Sequence, residues 1–257
     1  RCLRIDGKTL SRKFLEIPNR HIQRQMRVLL SVLGELDGEL MLEGASFNQI
    51  SSAVMSEDGE PDFRYHVFDV VTDSLLEPYS DRVKRLERLT LPSFCRKVLP
   101  ELIKNQDELD AYEQECVDKG YEGVMVRAVS GPYKCGRATA KQGWLLKVKR
   151  WEDSEAEVIG FVEKMHNENE AGVDELGYTK RSKALEGLVP AGTLGKLLVR
   201  EVGGTAWRGK TFGVGTGYDD TTRREIWDNQ DKYLGAIITY KYQPHGLLDV
   251  PRFPVWK

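Results

Sequence analysis

Short strand-like runs recur along almost the whole chain, but the helical patterns between them stop near Trp151. Before that point, Ile22, Met26, Leu29, Leu30 and Leu33 follow a helical spacing that predicts a helix over 19–34, ending on Gly34. Segments 80–89 and 104–119 are charged and helical in period. Runs at 36–42, 63–71, 121–127 and 143–150 read as strands. After Trp151 only short strand candidates follow, at 156–162, 195–202, 210–213 and 237–242, separated by turn residues. The pattern predicts an α+β chain of two domains. Residues 1–151 would combine antiparallel sheet with helices. Residues 152–257 would form a small β-barrel, with an oligonucleotide-binding (OB) barrel as one candidate. The polar stretch 163–193 lacks strong periodicity, and a structureless loop that long in a compact domain marks function or mobility.

At 257 residues the chain can bury a real core, and its 40% apolar and 30% charged content excludes a disordered or collagen-like protein. No run approaches the roughly 18 apolar residues of a membrane span, and the charged start Arg1-Cys2-Leu3-Arg4 does not read as a signal peptide. Cys2, Cys95, Cys116 and Cys135 are scattered without a C-x-x-C pair, so neither a zinc ribbon nor a disulfide framework is expected. The expectation is an intracellular, non-secreted monomer without a membrane partner.

A net charge of −2 conceals a strong asymmetry. From Arg1 to Arg27 eight basic residues face two acids, and from Lys134 to Arg150 six basic residues stand with no acid at all. Clustered positive charge is the electrostatic footprint of a phosphate ligand, although such runs are also ordinary solvated faces. Four short segments add chemistry to the charge. Asp37-Gly38-Glu39 puts acids inside an apolar strand, and Phe68-Asp69 falls near the end of an aromatic one. Glu122-Gly123 precedes a Val-Met-Val-Arg run, and Lys147 and Lys149 share a strand face. Acids, paired lysines and an aromatic ring suit a nucleotide with a divalent cation. Lysines neutralise phosphate, one carboxylate holds Mg²⁺, another accepts from ribose hydroxyls, and the ring stacks on the base. Singly, each has a bland alternative, such as a lysine that protects a strand edge.

In order and combination, these segments resemble the motifs of the covalent nucleotidyltransferase superfamily, and most of all those of minimal, viral-type ATP-dependent DNA ligases. The resemblance runs through Ser11-Arg12-Lys13-Phe14, LDGEL at 36–40, VFDVV at 67–71 and DRV at 81–83. It continues with EGVMVR at 122–127, YKCGRAT at 133–139, LLKVKR at 145–150, GYTKRS at 177–182, GTGYDD at 215–220 and PRFPVW at 251–256. It implies a nucleotidyltransferase domain followed by an OB-fold β-barrel, and a ligase that uses ATP and Mg²⁺ to seal nicked duplex DNA through a covalent AMP intermediate. By the same resemblance Arg1 is the last residue of the K-x-D-G-x-R motif and binds nucleotide. Glu39 contacts ribose, Phe68 stacks on adenine, Glu122 supports the metal, and Lys147 and Lys149 contact the AMP phosphate. Arg12 binds the 5′-phosphate side of the nick. Lys134 and Arg137 are further DNA contacts. Lys180, Arg181 and Lys183 lie in a loop, about 163–193, with which small viral ligases clamp the duplex.

The nucleophilic lysine of that motif is expected five residues before Arg1, and the family's last motif after Lys257. Arg4-Ile5-Asp6-Gly7 imitates K-x-D-G, but an arginine cannot deprotonate to act as the nucleophile, and it lies only eight residues before Arg12. Three rival readings remain: an RNA ligase, an mRNA-capping guanylyltransferase, or a nick-binding module without catalysis.

Overall fold

The computed structural model describes residues 1–31, 35–244 and 249–257. The first half contains strands β1 (Cys2–Ile5), β2 (Lys8–Ser11), β3 (Glu35–Leu42), β4 (Phe63–Val71) and β5 (Cys95–Lys97). They form one sheet in the order β2-β1-β3-β4-β5, antiparallel except where β5 joins β4. Helices α1 (Arg20–Met26), α2 (Phe47–Met55), α3 (Tyr79–Arg88) and α4 (Gln106–Asp118) intersperse these strands or follow them. Strands β6 (Gly123–Arg127) and β7 (Leu145–Lys149) pair separately. The helix expected over 19–34 is α1 continued as a 3-10 turn over Arg27–Ser31, and its last expected residues, Leu33 and Gly34, lie outside the described residues.

Contacts divide the chain into two compact units. One comprises Arg1–Leu109, Met125–Lys147 and Asp174–Tyr178, and the other Asp110–Val124, Val148–Val173 and Thr179–Lys257. In the first, one sheet face is apolar: Cys2, Leu36, Leu40, Phe63, Tyr65 and Val67 pack against Ile22 and Met26 of α1, Val54 of α2 and Leu86 of α3. Asn19 caps α1 by accepting from the Ile22 amide at 2.9 Å, and its own amide reaches three carbonyls near α2 at 3.3 Å. Ser46 and Gln49 form a capping box on α2. Strand alternation leaves the other sheet face to the polar residues of β3 and β4. Between Asp37 and Gly38 the register against β4 slips, and Phe68 is the bulged residue.

The second unit carries β8 (Glu152–Asn167), β9 (Ala171–Val173), β10 (Thr179–Arg181), β11 (Leu188–Glu201), β12 (Thr211–Val214), α5 (Asp220–Asp228), α6 (Gln230–Tyr233), β13 (Ile237–Gln243) and β14 (Arg252–Trp256). Its main sheet runs β12-β11-β8-β13-β14 over a core that includes Val158, Leu197, Val199, Trp207, Phe212, Ile226 and Tyr240. Two sequence expectations need correction. The sheet is not closed into a barrel: just past edge strand β12, Thr216 meets edge strand β14 through an isolated parallel bridge to Val255 and a hydrogen bond to the Pro254 carbonyl at 3.2 Å, with no continuous ladder between the two edges among the described residues. Nor is 163–193 structureless. β8 and β11 stay paired out to Asn167 and Leu188, and β9 and β10 form a hairpin between them. Every residue of β9 and β10 is exposed, so these strands lack the alternation of buried and exposed positions that would betray them in sequence.

Candidate functional site

On the polar side of β3 and β4, Asp37 and Asp69 are direct register partners, and both are buried. Two buried carboxylates side by side are unstable unless cations neutralise them. Arg1 supplies the first cation. Its Nε donates to Asp37 Oδ1 at 2.8 Å and its Nη2 to Oδ2, which also accepts from Tyr133 Oη at 2.9 Å. The hydrogen bond to Asp37 holds the Arg1 guanidinium firmly protonated against the opposing effect of burial. Burial, followed by the charge of Asp37, raises the Tyr133 hydroxyl above the ordinary tyrosine range.

Two arginines serve the second acid. Arg82 donates from Nε to Asp69 Oδ1 at 2.8 Å, and Arg127 from Nη1 to Oδ2 at 2.8 Å. Arg127 also lies 4.4 Å from the Tyr79 ring centre. Burial opposes its charge, but Asp69 and Tyr79 outweigh it and keep Arg127 protonated. Three guanidiniums against two carboxylates leave the cluster with a net charge of 3 − 2 = +1. Arg1, Arg127, Tyr133, Lys134 and Trp144 line a cavity beside it. A concave, cationic, aromatic-lined surface is suited to phosphate and base.

The same strands set the expected nucleotide residues. Glu39 is exposed on β3, two positions beyond Asp37 and hence on the same face. Half-buried Phe68 sits at the bulge of β4, flanked by buried Val67 and Asp69. Gly38 is required between them, because a Cβ there would lie 2.4 Å from the His66 carbonyl oxygen.

In the second unit Glu122 is gripped by two cations. Lys149 Nζ donates to its Oε2, and Arg252 Nη1 donates to Oε1 at 2.6 Å. Burial pushes the Glu122 carboxyl up, but the hydrogen bonds from Lys149 and Arg252 prevail and hold it below the usual carboxylate range. Gly123 sets this local arrangement: its φ is +136°, and a Cβ there would meet the Val148 carbonyl oxygen at 2.2 Å. Lys147 is exposed, two residues before Lys149 on β7. A resident metal does not fit. Among the described residues no three potential ligands gather, and both oxygens of Glu122 are occupied by cations.

The expected DNA contacts fall in separate places. Arg12 is exposed in the turn after β2. Lys134, bonded to the Gln142 side chain, and exposed Arg137 occupy the loop that begins at Tyr133. Lys180 and Arg181 are exposed on β10, with Arg181 bonded to the Asn169 carbonyl, and Lys183 follows them, also exposed. Tyr133, Arg82, Arg127 and Arg252 are functional candidates that appear only in the structure. Their only signal was membership of the recognised segments YKCGRAT, DRV, EGVMVR and PRFPVW. Arg4 is buried and donates to the Met26 and Lys8 carbonyls, a structural role.

Comparison with known proteins identifies the family and the fold. A family model described as an ATP dependent DNA ligase domain matches residues 8–149, and one described as a DNA ligase OB-like domain matches 189–257. The chain belongs to the ATP-dependent DNA ligase family. A DNA ligase of African swine fever virus is 28% identical over 176 residues, which cover 63% of this chain and 41% of the relative. The chain thus spans about two fifths of the length of the curated relatives it matches. The structure of Chlorella virus DNA ligase-adenylate is 34% identical, covering 99% of this chain and 86% of that one, with a TM-score of 0.51. A Lig E DNA ligase structure shares the fold, with a TM-score of 0.67 at 22% identity, covering 100% of this chain and 87% of that one.

Proposed function

We propose that the protein seals nicks between a 3′-hydroxyl and a 5′-phosphate in duplex DNA, acting as a monomer with a nucleotidyltransferase domain over 1–151 and an OB-like domain over 152–257. The observation that carries this reading is the ligase family match over residues 8–149, which contains every proposed nucleotide contact except Arg1. In the first step a lysine amine, placed by the family motif five residues before Arg1, attacks the α-phosphorus of ATP and pyrophosphate leaves. Next, an oxygen of the DNA 5′-phosphate attacks the AMP phosphorus and frees the lysine. Finally, the 3′-hydroxyl attacks the 5′-phosphate, losing its proton as AMP departs.

Phosphoryl transfer needs cations placed on phosphorus oxygens more than it needs covalent help. Lys147 and Lys149 supply that charge. Lys149 is exchanged from Glu122 to phosphate, and Glu122 stays paired with Arg252. Phe68 stacks on adenine, Glu39 accepts from the ribose, and Arg1 steadies the nucleotide. Arg12, Lys134, Arg137, Lys180, Arg181 and Lys183 bind DNA phosphates. Mg²⁺ in this reading accompanies the phosphates, to which it binds largely through phosphate oxygens and water.

The test is equilibrium binding to three duplexes: intact, nicked with a 5′-phosphate, and nicked without it. The phosphorylated nick should bind at least roughly tenfold more tightly than either control, because only it offers the terminal phosphate charge. Equal affinity for all three contradicts nick recognition.

A further inference from the structure

We infer that Tyr133 is a positioning residue that couples the nucleotide-contacting Arg1 to the DNA-contacting loop of Lys134 and Arg137 through the shared Asp37 carboxylate. This inference rests on the functional reading above. Tyr133 Oη donates to Asp37 Oδ2 at 2.9 Å and accepts from Arg1 Nη2 at 3.3 Å, closing a ring of three side chains. Asp37 and Tyr133 are buried, so neither has water as a ready substitute partner. The backbone around Tyr133 is fixed as well. Its amide donates to the Leu75 carbonyl at 2.8 Å, and the Gly131 carbonyl accepts from Arg82 Nη1 at 3.2 Å.

Arg82 is itself committed to Asp69, so the segment 131–133 is held by both buried acids, one through Arg82 and one through the Tyr133 hydroxyl. Lys134 follows immediately, and Arg137 three residues later. A displacement of the loop by DNA phosphates therefore pulls on the hydroxyl that shares Asp37 with Arg1. The guanidinium fork of Arg1 stays bidentate only while Asp37 keeps its orientation.

Tyr133→Phe deletes the hydroxyl alone. The ring stays under Arg82, whose guanidinium lies 5.7 Å from its centre, and both backbone bonds remain. The experiment is single-turnover sealing of a duplex whose nick already carries a 5′-adenylate, with melting temperature and nick affinity measured on the same samples. The expected result is a rate at saturating nick reduced roughly tenfold, with nick affinity unchanged within about twofold, because the lost interaction acts in the reacting complex. In an Arg1→Lys background, which breaks the fork but keeps the charge, Tyr133→Phe should add less than a further factor of about two. An unchanged rate, a loss confined to affinity, or independent multiplicative losses in the double variant would overturn the inference while the functional reading stands. A wild-type protein that binds the nick but never seals it overturns both.

Discussion

Asp37 and Asp69 oppose each other across two adjacent strands, and the local chemistry follows from the need to neutralise them. Removing one partner of a buried ion pair leaves an uncompensated charge, so Arg82→Ala should destabilise the protein by about 3 kcal/mol or more, seen as a lower denaturation midpoint. Glu122 carries a pH dependence whose sign follows from its surroundings. Lys149 and Arg252 hold its folded-state pKa below the ordinary value. The pair therefore contributes its full stability above about pH 4.3, the unfolded carboxylate value, and loses it as pH falls through the lowered folded value. Wild type should thus hold a melting-temperature advantage over Glu122→Gln at neutral pH that shrinks in acid. An advantage independent of pH contradicts the pairing. For Lys149, alanine substitution should slow sealing of a pre-adenylated nick by roughly a hundredfold, the scale for losing one charge-stabilising group in a transition state.

Among the elements, β3 and β4 matter most, because their bulge sets Phe68 and their close approach demands Gly38. Gly38→Ala puts a methyl group against a backbone oxygen and should cost about 3 kcal/mol or more. Gly160→Ala on β8 is the control. Its Cβ would lie 3.6 Å from Leu198, an ordinary contact, so the denaturation midpoint should barely move. Much of this architecture was legible. The four strand-like runs before Trp151 and both charged helical segments correspond to β3, β4, β6, β7, α3 and α4. In β3, β4 and α3, burial on one face imprints a period on the sequence. The hairpin of β1 and β2 was not legible, although Asp6-Gly7, with φ of +48° and +75°, is a favoured hairpin turn, because strands of four residues are too short to show a period of their own. Helix α2 was missed because Phe47, Gln49 and Met55 point to solvent while Val54 is its single buried residue, leaving no clear apolar stripe. At the site, single residues of recognisable type could be named from the chain, but the partners of Asp37 and Asp69 could not. Arg1 and Tyr133 meet Asp37 from 36 and 96 residues away, a relation that no local pattern carries.

At the scale of the whole molecule, basic residues gathered in short runs give a near-neutral chain local patches of the positive charge that phosphates require. Each lysine that neutralises one DNA phosphate contributes about 0.9 to the slope of log affinity against log salt. Replacing Lys180 and Lys183 together by alanine should therefore flatten that slope by about 2, and an unchanged slope would remove the β9–β10 hairpin from the DNA interface. Sealing itself is the decisive measurement. A duplex with a pre-adenylated nick bypasses the lysine and asks only whether this chain can join the 3′-hydroxyl to the 5′-phosphate. Incubated with the protein and Mg²⁺, such a substrate should yield the full-length joined strand and free AMP. A nick that is bound but stays open, with its adenylate intact, would contradict the account and leave a protein that recognises nicks without repairing them.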